Sequence, residues 1–159
     1  MTRAASECSP QITLVIGYGN ELRGDDGAGP KIATEVGGWG LDRVEARAVR
    51  QLTPELAKAI STAAAVVFVD AAPADQADGT KVISLEPASR SGLDAHAGNP
   101  AALLALAQAV FGRCPPAWLV TIPAANFDFG ASLSPLTESE MAAARVAIRR
   151  ICGSVRSCP

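Results

Sequence analysis

The stretch of sequence that decides the fold is Gly17-Tyr18-Gly19-Asn20-Glu21-Leu22-Arg23-Gly24-Asp25-Asp26-Gly27-Ala28-Gly29-Pro30. An apolar, β-branched run at residues 12–16 precedes it, and a helical pattern begins where it ends. A strand therefore carries glycines, an amide and two adjacent carboxylates to the edge of the sheet where open α/β folds bind their ligands. Glycines after a strand can bind phosphate, but carboxylates repel phosphate and attract metal ions. The stretch predicts a cation site rather than a nucleotide site.

The composition predicts one compact domain over residues 1–159. Hydrophobic residues make up 48% of the chain, enough for a substantial core, and residues 1–11 and 154–159 are expected to be flexible tails. The 14 basic and 16 acidic residues leave a net charge of −2, which argues against a nucleic-acid partner. No apolar run approaches the ~20 residues that span a bilayer, and the first residues lack the layout of a secretory signal. We therefore expect a cytoplasmic protein that does not bind membranes.

Continuous and alternating apolar runs predict an α/β fold with five strands and four helices. Proline predicts that the first helix begins near Pro30. A capping residue followed by proline predicts the starts of the second helix, at Thr53-Pro54 with Thr53 as N-cap, and of the third, at Asn99-Pro100. Thr137 and Glu140 have the spacing of a capping box ahead of the last helix. The predicted strands are residues 12–18, 44–49, 66–69 (ending at Asp70), 81–85 and 118–122.

The length of the loop after the third strand predicts the direction of the fourth. About ten residues, 71–80, join these two strands, whereas a parallel crossover needs a dozen or more residues with a helix. The fourth strand should therefore run antiparallel to the third, and the chain leaves it at the opposite edge of the sheet. Residues 87–98 are long enough to return to the edge that holds Asp26 and Asp70. That return brings His96 to the same edge.

Asp26, Asp70 and His96 are the candidate metal ligands and the candidate catalytic residues. Two carboxylates and one imidazole suit zinc, nickel, manganese or iron, and three protein ligands leave positions for substrate or water. The adjoining helix N-terminus disfavours a cation, so we expect weak or transient metal binding. An alternative interpretation makes Asp26 a helix cap, Asp70 an acceptor for turn amides, and His96, the only histidine, a structural residue.

Five further residues are expected to support the site. Asp25 is expected to cap the loop or the first helical turn, and Asn20 to bond amides within the loop. Gly17 and Gly19 permit tight backbone geometry. Asp94 either orients the imidazole or is an ordinary solvated charge. Covalent catalysis by a serine or cysteine requires a histidine as base. Here that histidine would have to be His96, the only one, which is already proposed as a metal ligand.

At four places, in order along the chain, the sequence resembles the hydrogenase maturation endopeptidases, which process the large subunit of nickel–iron hydrogenases. Residues 17–29 resemble the opening motif of that family nearly throughout. Residues 67–71 resemble its second acidic motif, residues 96–100 its histidine segment, and residues 129–135 its late Gly-x-x-Leu-Ser-Pro element. The resemblance covers most of the sequence, and the four matches in the same order make it specific.

The resemblance implies a three-layer α/β/α fold, in which a five-stranded, mostly parallel twisted sheet has strand four antiparallel and helices on both faces. It also implies that Asp26, Asp70 and His96 correspond to the family's metal ligands, although some members carry glutamate at the first position. The implied reaction is a single peptide cleavage near the C-terminus of the precursor large subunit, after nickel insertion. The implied partner is that precursor, and the implied cofactor is nickel, which the precursor supplies.

Two other functions remain open from the sequence. A non-enzymatic nickel chaperone for hydrogenase assembly would bind the metal with the same residues and leave the precursor uncut. A peptidyl-tRNA-hydrolase-like enzyme shares a related sheet and a Gly-Asn loop after its first strand. The acidic pair and the lack of a basic face count against that second alternative.

Overall fold

Five strands form a single sheet in the computed structural model, which describes residues 11–76, 78–89 and 98–155. The central strands are apolar and buried on both faces, which is why their sequences are continuous β-branched runs. Each strand lies where the sequence predicts it, with differences only at the ends. The strands are β1 (Thr13–Tyr18), β2 (Val44–Val49), β3 (Ala65–Pro73), β4 (Lys81–Leu85) and β5 (Ala117–Ala124).

The order of the strands across the sheet is β2-β1-β3-β5-β4. β1 pairs in parallel with β2 and β3, and β3 pairs in parallel with β5. β4 pairs antiparallel with β5, so it also runs against β3. The direction predicted from the loop length is therefore confirmed. The carboxyl ends of the four parallel strands share one edge of the sheet, which we call the carboxyl edge.

Helices cover both faces of the sheet, so the predicted three-layer α/β/α arrangement is confirmed. One apolar cluster joins the sheet to the first and last helices and includes Ile32 and Ile148. A second cluster joins the opposite face to the two middle helices and includes Ile60 and Leu104. The helices are α1 (Ala28–Gly37), α2 (Leu56–Thr62), α3 (Pro100–Phe111) and α4 (Pro135–Ser154).

The start of α4 differs from the prediction. Ser134 is its N-cap, since the Ser134 hydroxyl accepts a hydrogen bond from the Thr137 N–H (3.3 Å), and Pro135 is the first helical residue. The predicted capping box is wrong because both of its members have other positions or partners. Thr137 lies inside the helix, and the side chain of Glu140 accepts from the Thr80 N–H (2.8 Å) in the loop before β4.

β3 and α2 also differ from the prediction, whereas α3 agrees with it. β3 continues past Asp70 because residues 70–73 pair with residues 121–124 of β5. α2 begins at Leu56 without a side-chain cap, so Thr53 is not its N-cap. α3 has the predicted cap, because the Asn99 side chain accepts from the Ala101 N–H (2.8 Å).

Most of the two predicted tails, residues 1–11 and 154–159, lies outside the described ranges, although Ser154 is the last residue of α4.

Within the described ranges, no helix has both the length and the apolar character that crossing a membrane requires. Cys114 and Cys152 are free thiols.

β1 and α1 meet at two glycines. A Cβ atom on Gly17 would lie 2.0 Å from the carbonyl oxygen of Gly29, and one on Gly29 would lie 2.6 Å from that of Tyr18. Only glycine allows a helix and a strand to approach so closely. This contact sets the position of the loop that joins the two elements.

We expect Gly17→Ala to destabilise the protein, because the new methyl group would collide with the backbone of α1 rather than with a flexible side chain. Overpacking of this kind costs about 1–3 kcal/mol, and a backbone obstacle favours the upper end. The matched control is Gly153→Ala in α4, where a Cβ atom meets nothing within 4 Å and alanine favours the helix by up to ~1 kcal/mol. Urea unfolding measures both variants. A wild-type midpoint for Gly17→Ala would contradict the close contact.

Candidate metal-binding site

The acidic loop, residues 19–27, joins β1 to α1 at the carboxyl edge. Gly19 has a φ of 145°, and a Cβ atom there would lie 2.0 Å from the Asp26 carbonyl oxygen, so glycine is required where the loop folds back. The Asn20 N–H donates to Oδ2 of Asp26 (2.7 Å), and the Asn20 side chain accepts from the Leu22 N–H (3.0 Å). Gly19 and Asn20 together hold the turn that presents Asp26.

Asp25 lies in a short 3-10 helix, Gly24–Gly27, and is fully buried, with 0% of its surface exposed. Its Oδ2 accepts from the N–H groups of Ala125 (2.8 Å) and Asn126 (2.9 Å) and from the Ser134 hydroxyl (2.7 Å). Its Oδ1 accepts from the Ser134 N–H (2.7 Å). Burial alone would raise the pKa of Asp25, but these hydrogen bonds, those from Ser134 foremost, lower it to about 2. Asp25 is therefore an ionised brace that ties the acidic loop to the β5–α4 loop, residues 125–134.

Asp26 and Asp70 lie close enough for their charges to interact. Both side chains are half-buried. Burial raises the pKa of Asp70 to about 6; hydrogen bonds from Tyr18 and from the Ala71 N–H oppose this effect, and the charge of Asp26 adds to it. The structure thus brings together two of the three predicted ligands. Their role as metal ligands and catalytic residues stays a prediction.

A carboxylate pair of this kind suits a divalent cation. Two like charges repel each other, and a cation between them removes the repulsion while taking the oxygen ligands that hard metal ions prefer. In the part of the chain that the structure describes, no group of three or more histidine, cysteine, aspartate or glutamate side chains is placed to hold a metal ion. The two acids therefore supply part of a site, which needs further ligands from substrate, water or the rest of the chain.

His96, the third predicted ligand, and Asp94 both lie outside the described residues. The described chain resumes at Gly98, which with Asn99 lines a small apolar cavity together with residues 52–54. Those residues follow β2, whose carboxyl end lies at the carboxyl edge. α3 therefore begins at that edge, where the sequence analysis expects it. The assignments of His96 and Asp94 stay predictions.

Tyr18 is a site residue that the sequence analysis does not identify. Its hydroxyl lies beside the Asp70 carboxylate. Burial raises the pKa of Tyr18, and the charge of Asp70 and hydrogen bonding with it raise the pKa further, so the phenol keeps its proton and can act as a donor to Asp70. The signal that reveals this contact is strand register. Gly17 is paired with Val69, so the next residues of β1 and β3 are neighbours. That signal exists only once the two strands are known to be adjacent and aligned.

We expect Asp25→Asn to destabilise the protein by roughly 2–4 kcal/mol. The four donors now bind two carboxylate oxygens, whereas the amide of asparagine has a single acceptor oxygen. The pKa of Asp25 is lowered in the folded protein, so the contribution of Asp25 to stability is fully present above pH ~4 and is lost as the pH decreases towards about 2. The variant should lack this dependence. Urea unfolding between pH 2 and 7 measures it, with Asp42→Asn, at an exposed position, as control. If Asp25→Asn were as stable as the wild type at pH 7, the hydrogen bonds of Asp25 would not stabilise the contact between the two loops.

We expect Asp70 to titrate near pH 6, and Asp26→Asn to lower that pKa while burial keeps it above its ordinary value. Because the folded state binds the Asp70 proton more tightly than the unfolded state, this group reduces stability as the pH rises from about 4 to about 6. Carbon-13 NMR of the carboxyl groups measures the titration, and Asp42→Asn is again the control. An unchanged Asp70 pKa in Asp26→Asn would show that the two charges do not interact.

No protein-family model and no curated protein matches this sequence. Solved structures do share its fold. The hydrogenase maturating endopeptidase HybD from E. coli superposes with a TM-score of 0.69 at 18% identity, over 89% of this chain and 91% of that one. The hydrogenase 2 maturation peptidase from a Thaumarchaeota archaeon gives a TM-score of 0.65 at 23% identity, over 90% and 99% of the two chains. The NiFe hydrogenase maturation protease HybD from Thermococcus kodakarensis gives 0.64 at 21% identity, over 89% and 99%. This chain therefore has the fold of solved hydrogenase maturation endopeptidases.

Proposed function

We propose that this protein is an endopeptidase that removes a C-terminal peptide from the precursor large subunit of a nickel–iron hydrogenase after nickel insertion. The observation that carries the proposal is the interacting pair Asp26 and Asp70, at the carboxyl edge of a fold shared with hydrogenase maturation endopeptidases. A shared fold does not by itself carry a function. The acidic pair adds metal-binding chemistry at the edge where α/β folds bind their ligands.

Nickel enters the proposal as part of the substrate. Asp26, Asp70 and His96 would contact nickel that the precursor already holds. Asp26 stands just before the N-terminus of α1, whose partial positive charge disfavours a cation, and this supports weak binding of free metal. A precursor that brings its own ligands with the nickel would complete the coordination.

The position of Gly98 supports the inclusion of His96 in the site. His96 precedes Gly98 by two residues, a separation that an extended chain spans in ~7 Å. Gly98 lies at the carboxyl edge, beside the loop that follows β2. The position of Gly98 therefore favours the inclusion of His96 in the proposed site.

Peptide hydrolysis needs a water molecule that loses a proton as it attacks the carbonyl carbon. In the proposed reaction, the docked nickel places the scissile bond beside Asp26. The Asn20 N–H donates to Oδ2 of Asp26, so the proposal assigns the role of proton acceptor to Oδ1. That oxygen accepts the proton of the attacking water and passes it to the leaving amine as the C–N bond breaks. The products are a large subunit with a new C-terminal carboxylate and a peptide with a free amine.

The test is the processing of nickel-loaded precursor by the wild type and by Asp26→Asn, Asp70→Asn and His96→Ala. We expect each substitution to slow cleavage ~100-fold or more, because each removes a contact with the metal or the acceptor of the water proton. Mass spectrometry of the large subunit measures the loss of the C-terminal peptide. Asp42→Asn should process at the wild-type rate, and circular dichroism verifies that every variant is folded.

Normal processing by all three variants would end the site assignment. Nickel-free precursor tests the recognition of the metal: we expect the wild type to leave it uncut, and equal cleavage would contradict that part of the proposal. A wild type that retains nickel in calorimetry, yet leaves the precursor at its original length, would favour the nickel chaperone instead.

A further inference from the structure

Tyr18 and Asp70 occupy neighbouring positions on two adjacent parallel strands. Gly17 of β1 is paired with Val69 of β3, and Tyr18 and Asp70 are the next residues of the two strands. Residues at the same level of parallel strands project to the same face of the sheet. Phe68, two positions before Asp70, belongs to the cluster beneath α2 and α3, and Tyr18 packs against that cluster. Both side chains therefore lie on the α2–α3 face at the carboxyl edge.

The core anchors the ring of Tyr18, and its hydroxyl reaches the carboxylate. The ring packs against buried apolar side chains, and the hydroxyl lies beside the Asp70 carboxylate, to which it can donate a hydrogen bond. An aromatic side chain held by its ring keeps its polar tip at a fixed place. A hydrogen bond donated from this fixed position restricts rotation of the Asp70 carboxylate and leaves other lone pairs of that group to a ligand.

We propose that Tyr18 is a positioning residue whose hydroxyl holds the Asp70 carboxylate in the orientation that a divalent cation requires. The inference rests on the proposed function, because Asp70 is a ligand only in that proposal. Tyr18 acts through Asp70 and does not contact the cation. Hydrogen bonds of this kind fix the orientation of metal ligands, and their loss costs ~10–100-fold in metal affinity.

Thr121 offers a matched control on the other side of Asp70. It is the β5 residue in register with Asp70, so it lies at the same level of the sheet and on the same face. Tyr18→Phe and Thr121→Val each remove one hydroxyl from a position that flanks Asp70. Only the first removes the hydrogen bond on which the proposal depends.

The experiment is a titration of the full chain with Ni²⁺ alone, followed by NMR, which measures millimolar as well as micromolar affinity. We expect Asp70→Asn to abolish binding, Tyr18→Phe to weaken it ~10-fold, and Thr121→Val to leave it within about twofold of the wild type. With nickel-loaded precursor, Tyr18→Phe should raise KM by a similar factor and change kcat by less than about threefold. A merely structural role for Tyr18 would lower the urea midpoint without this selective effect on nickel.

The outcomes separate the two proposals. If Asp70→Asn loses nickel while Tyr18→Phe binds it like the wild type, the positioning role is wrong and the proposed function stands. If Thr121→Val weakens binding as much as Tyr18→Phe, the effect is not specific to Tyr18 and the inference fails. If Asp70→Asn binds nickel and processes precursor normally, the proposed site fails together with the inference. If the wild type binds no free Ni²⁺, the KM for nickel-loaded precursor decides, and an unchanged KM in Tyr18→Phe refutes the positioning role.

Discussion

The hydrogen bonding of the buried Asp25 carboxylate to four donors is the interaction on which the rest of the site depends. Removing a carboxylate from water is costly, and only charge-assisted hydrogen bonds to most of its lone pairs offset that cost. The bonds join the acidic loop to the β5–α4 loop. They therefore hold the short 3-10 helix in place, and the next residue, Asp26, takes its position from it. The buried carboxylate of Asp25 thus determines the position of Asp26, the half-buried candidate ligand that follows it.

The three acids at the carboxyl edge share a chemistry and differ in environment. Donors surround Asp25, and its pKa is low; Asp70 is half-buried beside another carboxylate, and its pKa is high. A carboxylate such as Asp25, whose oxygens already accept four hydrogen bonds, stabilises the fold but has few lone pairs left for a ligand. A pair whose charges repel is a place where an incoming cation is stabilised. The two environments occur at neighbouring residues of the 3-10 helix: Asp25 accepts hydrogen bonds from the β5–α4 loop, whereas Asp26 accepts one from the Asn20 N–H within its own loop.

The features that depend on short stretches of the chain could be predicted from the sequence. The strands, the Asn99 cap and the direction of β4 follow from apolar periodicity, capping chemistry and loop length. The convergence of Asp26 and Asp70 follows from sheet topology, since parallel strands end at a common edge. Contacts between distant segments were not predictable in this way. Ser134 became the cap of α4, and Tyr18 met Asp70, through packing and register that no single segment encodes.

Ser134 lies 109 residues after Asp25 along the chain, so the acidic loop is completed by a segment that is synthesised much later. A ribosome releases both candidate acids early, at positions 26 and 70. Contacts across such a separation form late, because the intervening chain must first be ordered. A nascent chain therefore carries the acids well before it has the brace that arranges them. The final arrangement of the acidic loop therefore depends on a distant segment that emerges from the ribosome after both acids.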